Sequence, residues 1–354
     1  MMQQEIQFCR SFDGVRLAYA LAGNGPPLVK AANWLSHIEY EWDSPVWRHW
    51  YEALASHFTL IRYDQRGCGL SDRKVDNITF ESWVQDLEAI VEAVGLSRFP
   101  LLGISQGGAV AAAYTARYPD RVTRLMIYGG YLRGRRLRNL TPEQEEETEI
   151  LIKLIRMGWG SDNPAFRQVF TTLFLPDADL DQIKSLNLIH KSSTSEDTAE
   201  RIVSCLDRID VRAMATRIRT PTLILHARDD ARVPFEEGRM TAAMIPNARF
   251  ISLDSRNHIL LETESAWQTF TEAILPFAWA DGEDMPNDTF APLSLREREV
   301  IDLVARGLSN DQIASQLFIS PKTVRNHITN IFGKLSIKSR PQAIVMAREA
   351  GFGR

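Results

Sequence analysis

Cysteine is nearly absent from this chain, with three in 354 residues: Cys9, Cys68 and Cys205. They are odd in number and far apart, so neither a disulfide framework nor a metal-ligand spacing can be read from them. The expected compartment is a reducing one, the cytoplasm, and no metal or other cofactor is expected. The opening Met-Met-Gln-Gln-Glu carries neither a basic nor an apolar stretch, so no secretory leader is read. Long apolar runs are missing as well. The most apolar segment, Leu101 to Ala116, is interrupted by Ser105 and Gln106 and is too short to span a bilayer, so no membrane partner is expected. Internal repeats and low-complexity tracts are not found.

A strong excess of charge of one sign is also lacking, the net charge being −4. Apolar residues make up 44% and charged residues 24%, ordinary values for a soluble globular protein. The length suits two domains. The modest net charge conceals an asymmetry. Residues 290–354 hold ten Lys/Arg against five Asp/Glu, a balance of +5, which leaves −9 for the rest. A small basic module on a larger acidic body is expected of a nucleic-acid binder with a separate sensing or catalytic part.

Residues 1–279 alternate strand-like and helix-like runs. Leu17–Ala22, Pro27–Ala31, Thr59–Tyr63, Phe99–Ile104, Arg124–Tyr128, Pro221–Leu225 and Arg249–Leu253 read as short strands, and Phe80–Val94 as an amphipathic helix. Such alternation predicts an α/β fold, a mainly parallel sheet covered on both faces. Residues 131–215 break the alternation and look helical, the expectation being a helical cap over a pocket. Their charge runs, Arg133–Arg138 and Glu143–Glu149, read as solvated helix surface. Residues 280–291 are acidic, with proline and glycine, and read as a linker.

From residue 292 to 354 the periodicity is purely helical. Ser294-Leu-Arg-Glu297 and Ser309-Asn-Asp-Gln312 are capping boxes. They open helices that end near Arg306, before Gly307, and at Leu317. Ser320-Pro321 starts a third helix running to about Leu335. A fourth spans Arg340–Ala350. On the third helix Val324, Ile328, Ile331 and Leu335 share one stripe, the expected buried face. Lys322, Arg325, Asn326 and Thr329 share the opposite stripe. Arg can fork onto guanine and Asn can pair with adenine, so this face suits a DNA major groove.

The run Pro292-Leu-Ser-Leu-Arg-Glu-Arg-Glu-Val, with Ile319-Ser-Pro-Lys-Thr-Val-Arg-Asn-His-Ile and Lys334-Leu, resembles the LuxR-type helix-turn-helix. The resemblance covers the whole C-terminal segment. It implies that Arg325, Asn326 and Thr329 read bases of double-stranded DNA. Lys322, Thr323, His327 and Asn330 would approach the backbone. The last helix would pair two protomers, giving a homodimer on DNA.

In the N-terminal body, Gly103-Ile-Ser105-Gln-Gly107 lies between the strand Phe99–Ile104 and an Ala-rich helix. This is G-x-S-x-G in its strand–turn–helix setting, where a sharp turn lifts a nucleophilic serine above the sheet. The serine needs a base and the base an orienting carboxylate. His258 and Asp230 follow strands in the order Ser, Asp, His, with Asp229 as the neighbouring alternative. With Tyr63-Asp-Gln-Arg-Gly-Cys-Gly-Leu-Ser-Asp72, these features resemble the α/β-hydrolase fold over residues 1–280. Asp64, Arg66 and Ser71 in that run read as structural. Such hydrolases carry His-Gly after the third strand, where this chain has Ala32-Asn33, preceded by Lys30 inside the strand. The oxyanion donors implied are the backbone N–H groups of Trp34 and Gln106. Misplacing one such donor costs about 10²–10³ in rate, so turnover is expected to be slow. The Trp- and His-rich segment Asn33–Trp50 reads as a pocket wall.

Two functions follow as expectations. One is a transcription regulator whose hydrolase-like domain senses a small molecule, with or without slow hydrolysis. The other is a working serine hydrolase of an ester, lactone or amide with a secondary DNA-binding tail.

Overall fold

The computed structural model describes residues 2–279, 293, 295–317, 319–335, 337, 339–349 and 352–353. The acidic segment 280–291 and Ser294 lie outside the described residues. The chain divides into two compact units, Met1–Asp281 and Gly282–Arg354.

The first unit is built on an eight-stranded sheet. Its strands are β1 (Gln4–Arg10), β2 (Arg16–Ala22), β3 (Pro27–Lys30), β4 (Thr59–Tyr63), β5 (Phe99–Ile104), β6 (Val122–Tyr128), β7 (Thr222–Ala227) and β8 (Arg249–Leu253). They lie in the order β1-β2-β4-β3-β5-β6-β7-β8. Only β1–β2 and β2–β4 pair antiparallel, so the sheet is mainly parallel. The strand that the sequence did not announce is β1. It sits at the sheet edge with one neighbour, its residues are at most half-buried, and Phe8 is exposed. Only Ile6 and Cys9 pack against core residues, each part-buried, so the strand carries little hydrophobic pattern.

Every residue of β5 is buried, as a central parallel strand requires. It contains Pro100, which removes a ladder donor. The β5–β6 register shifts between Phe99 and Leu101, and that irregularity accommodates the proline. Parallel pairing brings the carboxyl ends of β3, β5, β6, β7 and β8 to one rim, the usual place for a ligand crevice. Between β6 and β7 run the helices Pro142–Gly158, Ala165–Phe174, Leu180–Ser193 and Glu196–Leu206. Their starts have local causes. Thr141 and Gln144 form a reciprocal capping box, as do Asp179 and Gln182.

The Arg66 side chain is fully buried and ties the loop after β4. It donates to Asp86 at 2.7 and 2.6 Å and to Asp13 at 2.7 Å. Ser71 Oγ donates to the Asp64 carbonyl at 2.7 Å and accepts from Ala18 N–H at 2.9 Å, which stitches the same loop to β2.

The second unit has helices Leu295–Ala305, Asn310–Leu317, Pro321–Leu335 and Arg340–Glu349. Gly307, at φ +87°, closes the first. The Leu308 N–H returns to Leu303 O and the Gly307 N–H to Val304 O, a Schellman stop. Ser309 and Gln312 cap each other's backbone at the next start. Val300, Ile301, Val304, Ile313, Val324 and Ile331 are the centre of a separate small core. Glu297, buried on the first helix, accepts from Lys334 Nζ of the third at 2.6 Å. Among the described residues no helix is long and apolar enough to cross a membrane.

Candidate functional site

Strand β5 ends at Ile104 and the next helix begins at Gln106, so Ser105 occupies the turn itself. Its backbone is at φ +54°, ψ −125°, outside the regions an L-residue prefers. Such a conformation costs on the order of 1–3 kcal/mol and persists only where the surroundings enforce it. The flanking glycines allow it. A Cβ on Gly103 would stand 2.5 Å from Gly107 O and 2.6 Å from Gly108 Cα. The Ser105 N–H donates to Tyr128 O at 2.9 Å, fixing the turn to β6.

Asp230 follows β7 and His258 follows β8. Asp230 Oδ2 accepts from His258 Nδ1 at 2.7 Å, and Asp230 Oδ1 accepts from the backbone N–H groups of Arg232 and Val233, both at 2.8 Å. Burial by itself would raise the Asp230 carboxyl pKa. The adjacent His258, with help from His226 and the Val233 N–H, outweighs it and holds the group below the usual carboxylate range. His226 is the partner that sequence order did not reveal: its Nε2 lies 3.6 Å from Asp230 Oδ2. Asp229 is exposed, with its N–H bonded to Ser255 O. Gly129 gives the imidazole room, since a Cβ there would lie 3.1 Å from His258 Cε1.

His258 Nε2 is buried and has no hydrogen-bond partner among the described residues, so Ser105 Oγ does not hydrogen-bond it in this state. Both residues line one recess. An imidazole with one nitrogen tied to a carboxylate and the other open beside a serine can take a proton from it; unliganded sites often leave this last contact loose. The backbone N–H groups of Trp34 and Gln106 meet no acceptor among the described residues.

Lys30 and Asn33 are a pair. Lys30 is buried at the end of β3, and its Nζ donates to Asn33 Oδ1. Burial pushes the Lys30 ammonium down to about 8, while Glu41 pulls it upward. The two residues that looked anomalous in the sequence thus account for each other. They brace the loop that presents Trp34.

Two recesses meet at Ser105, sharing Trp34 and Phe174 as walls. The first, a narrow cavity of about 10 Å³, is mainly apolar and includes Asn33, Leu35 and Trp47 of the Trp-rich segment. The second, about 20 Å³, is lined by Gln106, Tyr131, Asp207 and three arginines. Phe174 comes from the helical segment, and its carbonyl accepts from the N–H of His258 at 2.9 Å. No periodicity or motif singled out Phe174 or Arg232, and Arg135 and Arg138 sit in the run expected to be solvated surface.

In the second unit Lys322, Arg325, Asn326, Thr329 and Asn330 are exposed, and Thr323 and His327 are half-buried. Thr323 is occupied locally, its hydroxyl 2.8 Å from Ser320 Oγ, and Thr329 Oγ1 donates to Arg325 O at 3.0 Å. Val324, Ile331 and Leu335 are buried, with Ile328 packed beside them.

Residues 291–347 match the family model described as bacterial regulatory proteins, luxR family, and residues 41–172 match that of the alpha/beta hydrolase fold. The chain therefore joins an α/β-hydrolase domain to a LuxR-type helix-turn-helix domain, and the latter implies double-stranded DNA as a partner. Among curated relatives it is similar to a pyrrolizixenacetamide deacetylase of Xenorhabdus hominickii, 29% identical over 67% of this chain and 86% of that protein. It is also similar to the oxygen regulatory protein NreC of Staphylococcus carnosus, 42% identical over 22% of this chain and 36% of that protein. Among solved structures, an esterase from Exiguobacterium antarcticum superposes with a TM-score of 0.66 at 20% identity, covering 77% of this chain and 99% of that one.

Proposed function

We propose that this chain is a cytoplasmic transcription regulator whose α/β-hydrolase domain senses a small molecule beside Ser105. The observation that carries the reading is the exposed polar face of the helix Pro321–Leu335, with Arg325 and Asn326 free to reach base edges. Lys322, Thr323, His327 and Asn330 would follow the DNA backbone, and the helix Arg340–Glu349 would pair two protomers. The ligand must bind two states of the protein with different affinity, since equal affinity shifts nothing. Selection from random duplex DNA with the full chain tests the first part. An enriched sequence is expected, and enrichment of none would sink the reading.

A second reading is favoured by the strained Ser105 backbone and the 2.7 Å contact between His258 and Asp230. Ser105 would attack an ester, lactone or amide carbonyl, and His258 would take its proton. Asp230 would hold the imidazolium, and the Trp34 and Gln106 N–H groups would receive the oxyanion. The similarity to enzymes named as a deacetylase and an esterase agrees with this chemistry. A fluorophosphonate probe should label Ser105 in the full chain and fail on Ser105→Ala. Loss of Ser105 should lower turnover of an activated ester by about 10³ or more. If Ser105 is not labelled and turnover survives its loss, this second reading fails.

A further inference from the structure

The second recess at Ser105 is unusually cationic for a wall beside a nucleophile. Arg135, Arg138 and Arg232 line it against one carboxylate, Asp207. Arg135 is committed to Glu147 at 2.8 Å. Arg138 donates twice to Arg133 O at 3.3 Å and lies 3.8 Å from Glu237. Arg232 makes no side-chain hydrogen bond or ion pair among the described residues, and its guanidinium lies 5.8 Å from the Phe174 ring centre. Its backbone is nevertheless fixed, because its N–H holds Asp230 Oδ1. Asp207 is 5% exposed and its Oδ2 has no partner. Asp207 and Arg232 feel each other's charge across the recess, but no N···O contact within ion-pair distance joins them among the described residues.

The first recess is different in kind. Leu35, Trp47, Leu186, Ile189 and Ile259 make it apolar. Its one carboxylate, Glu41, is already engaged by Arg62 at 3.1 Å and by the Tyr51 hydroxyl at 2.6 Å. The pocket therefore has an oily end and a cationic end, with Ser105 between them. A guanidinium presents a planar fork that matches a carboxylate. A neutral ligand would leave the Arg232 guanidinium without a hydrogen-bonded anionic acceptor among the described residues.

We propose that this pocket takes an amphipathic organic carboxylate, with its head against Arg232 and Arg138 and its hydrocarbon body in the apolar recess. The proposal rests on reading the Ser105 pocket as the ligand site, and it names the chemical class. If the ligand also carries a scissile carbonyl, that group lies at Ser105, between the two ends.

The test uses the full chain carrying Ser105→Ala, without DNA, so that neither turnover nor DNA binding enters. Calorimetry compares octanoate with octanamide, which share one hydrocarbon and differ in charge. Octanoate should bind more tightly by about tenfold, the size of one charge-assisted hydrogen-bonding contact. Adding Arg232→Gln should bring the ratio close to one, and Arg138→Gln should reduce it by less. Equal binding of the two probes, or a preference that survives both arginine changes, overturns the carboxylate class while leaving the pocket reading intact. Binding of neither probe counts against the pocket itself. Should Arg232→Gln fail to fold, the probe ratio and its response to Arg138→Gln still decide the matter.

Discussion

In the C-terminal unit, the groups offered to a partner come from one stretch of helix, Lys322 to Asn330. In the N-terminal unit, Ser105, Asp230 and His258 come from loops after β5, β7 and β8, and their pocket borrows Phe174 and three arginines from elsewhere. The first arrangement depends on a period of 3.6 residues, so a helix start and a stripe of apolar residues specify it. The second depends on strand order and on how a long helical insertion folds back. The consequence is a division of risk. Damage to the helix core should abolish recognition of DNA, whereas damage to the loops of the body should act through the proposed ligand site.

The sharpest way to separate the units uses tryptophan. All eight tryptophans, Trp34 to Trp279, lie in the N-terminal unit, so their fluorescence reports on that unit alone. Arg66→Ala would leave Asp86 and Asp13 without their cation. Breaking a buried ion pair in this way costs about 3–5 kcal/mol. Denaturant unfolding followed by fluorescence should shift by that amount, and a shift below about 1 kcal/mol would show the loop is not held by Arg66.

Ile331→Ala makes the complementary cut. It empties a fully buried position of the small core, at a cost of about 2–5 kcal/mol. Helical circular dichroism should fall and DNA binding should be lost, with the fluorescence transition unmoved. A fluorescence transition that moves as well would show that the units unfold as one.

Lys30 offers a pH test of the body. Its ammonium titrates near 8 when folded, against an ordinary value of 10.5, because it is buried. Between those values the unfolded chain holds a proton that the folded one has released. Stability should therefore rise with pH through that window, by on the order of 1–3 kcal/mol. Below about 8 both forms are charged and the contribution is constant. Lys30→Met should abolish the rise, and an unchanged slope in that variant would assign the titration to another group.

The smallest expected effect is the most local. Arg325→Ala should cost about 1–3 kcal/mol at one base position and relax preference there. Selected sequences that are identical to those of the parent would remove Arg325 from the base-reading set.

Much of this was legible before any coordinates. The helix Asn310–Leu317, the start at Pro321 and the stripe Val324, Ile331, Leu335 follow from caps and periodicity, which act within a turn or two. The strand, turn and helix around Ser105 were legible for the same reason. The edge strand β1 was not, because it contributes only the part-buried Ile6 and Cys9 to the core. The run Arg133–Arg138 read as solvated surface, and Arg136 pairs with Glu149 as such a surface would. Arg133 and Arg138 instead turn toward the buried Glu237, and Arg135 and Arg138 line the recess at Ser105. Local sequence has no means of announcing a partner that lies a hundred residues away.

By itself, then, the sequence determined the elements whose causes are local: capped helices, alternating strands, the glycine-flanked serine and an exposed polar and cationic helix face. Tertiary structure alone decided which groups share a low-dielectric space. It set Asp230 rather than Asp229 against His258, gave Lys30 an acceptor in Asn33, and left Arg232 beside Ser105 without an ion-pair contact among the described residues. Charge and hydrogen bonding act over a few ångströms of space, not along the chain. The chemistry of the pocket was therefore fixed only when the fold closed around it.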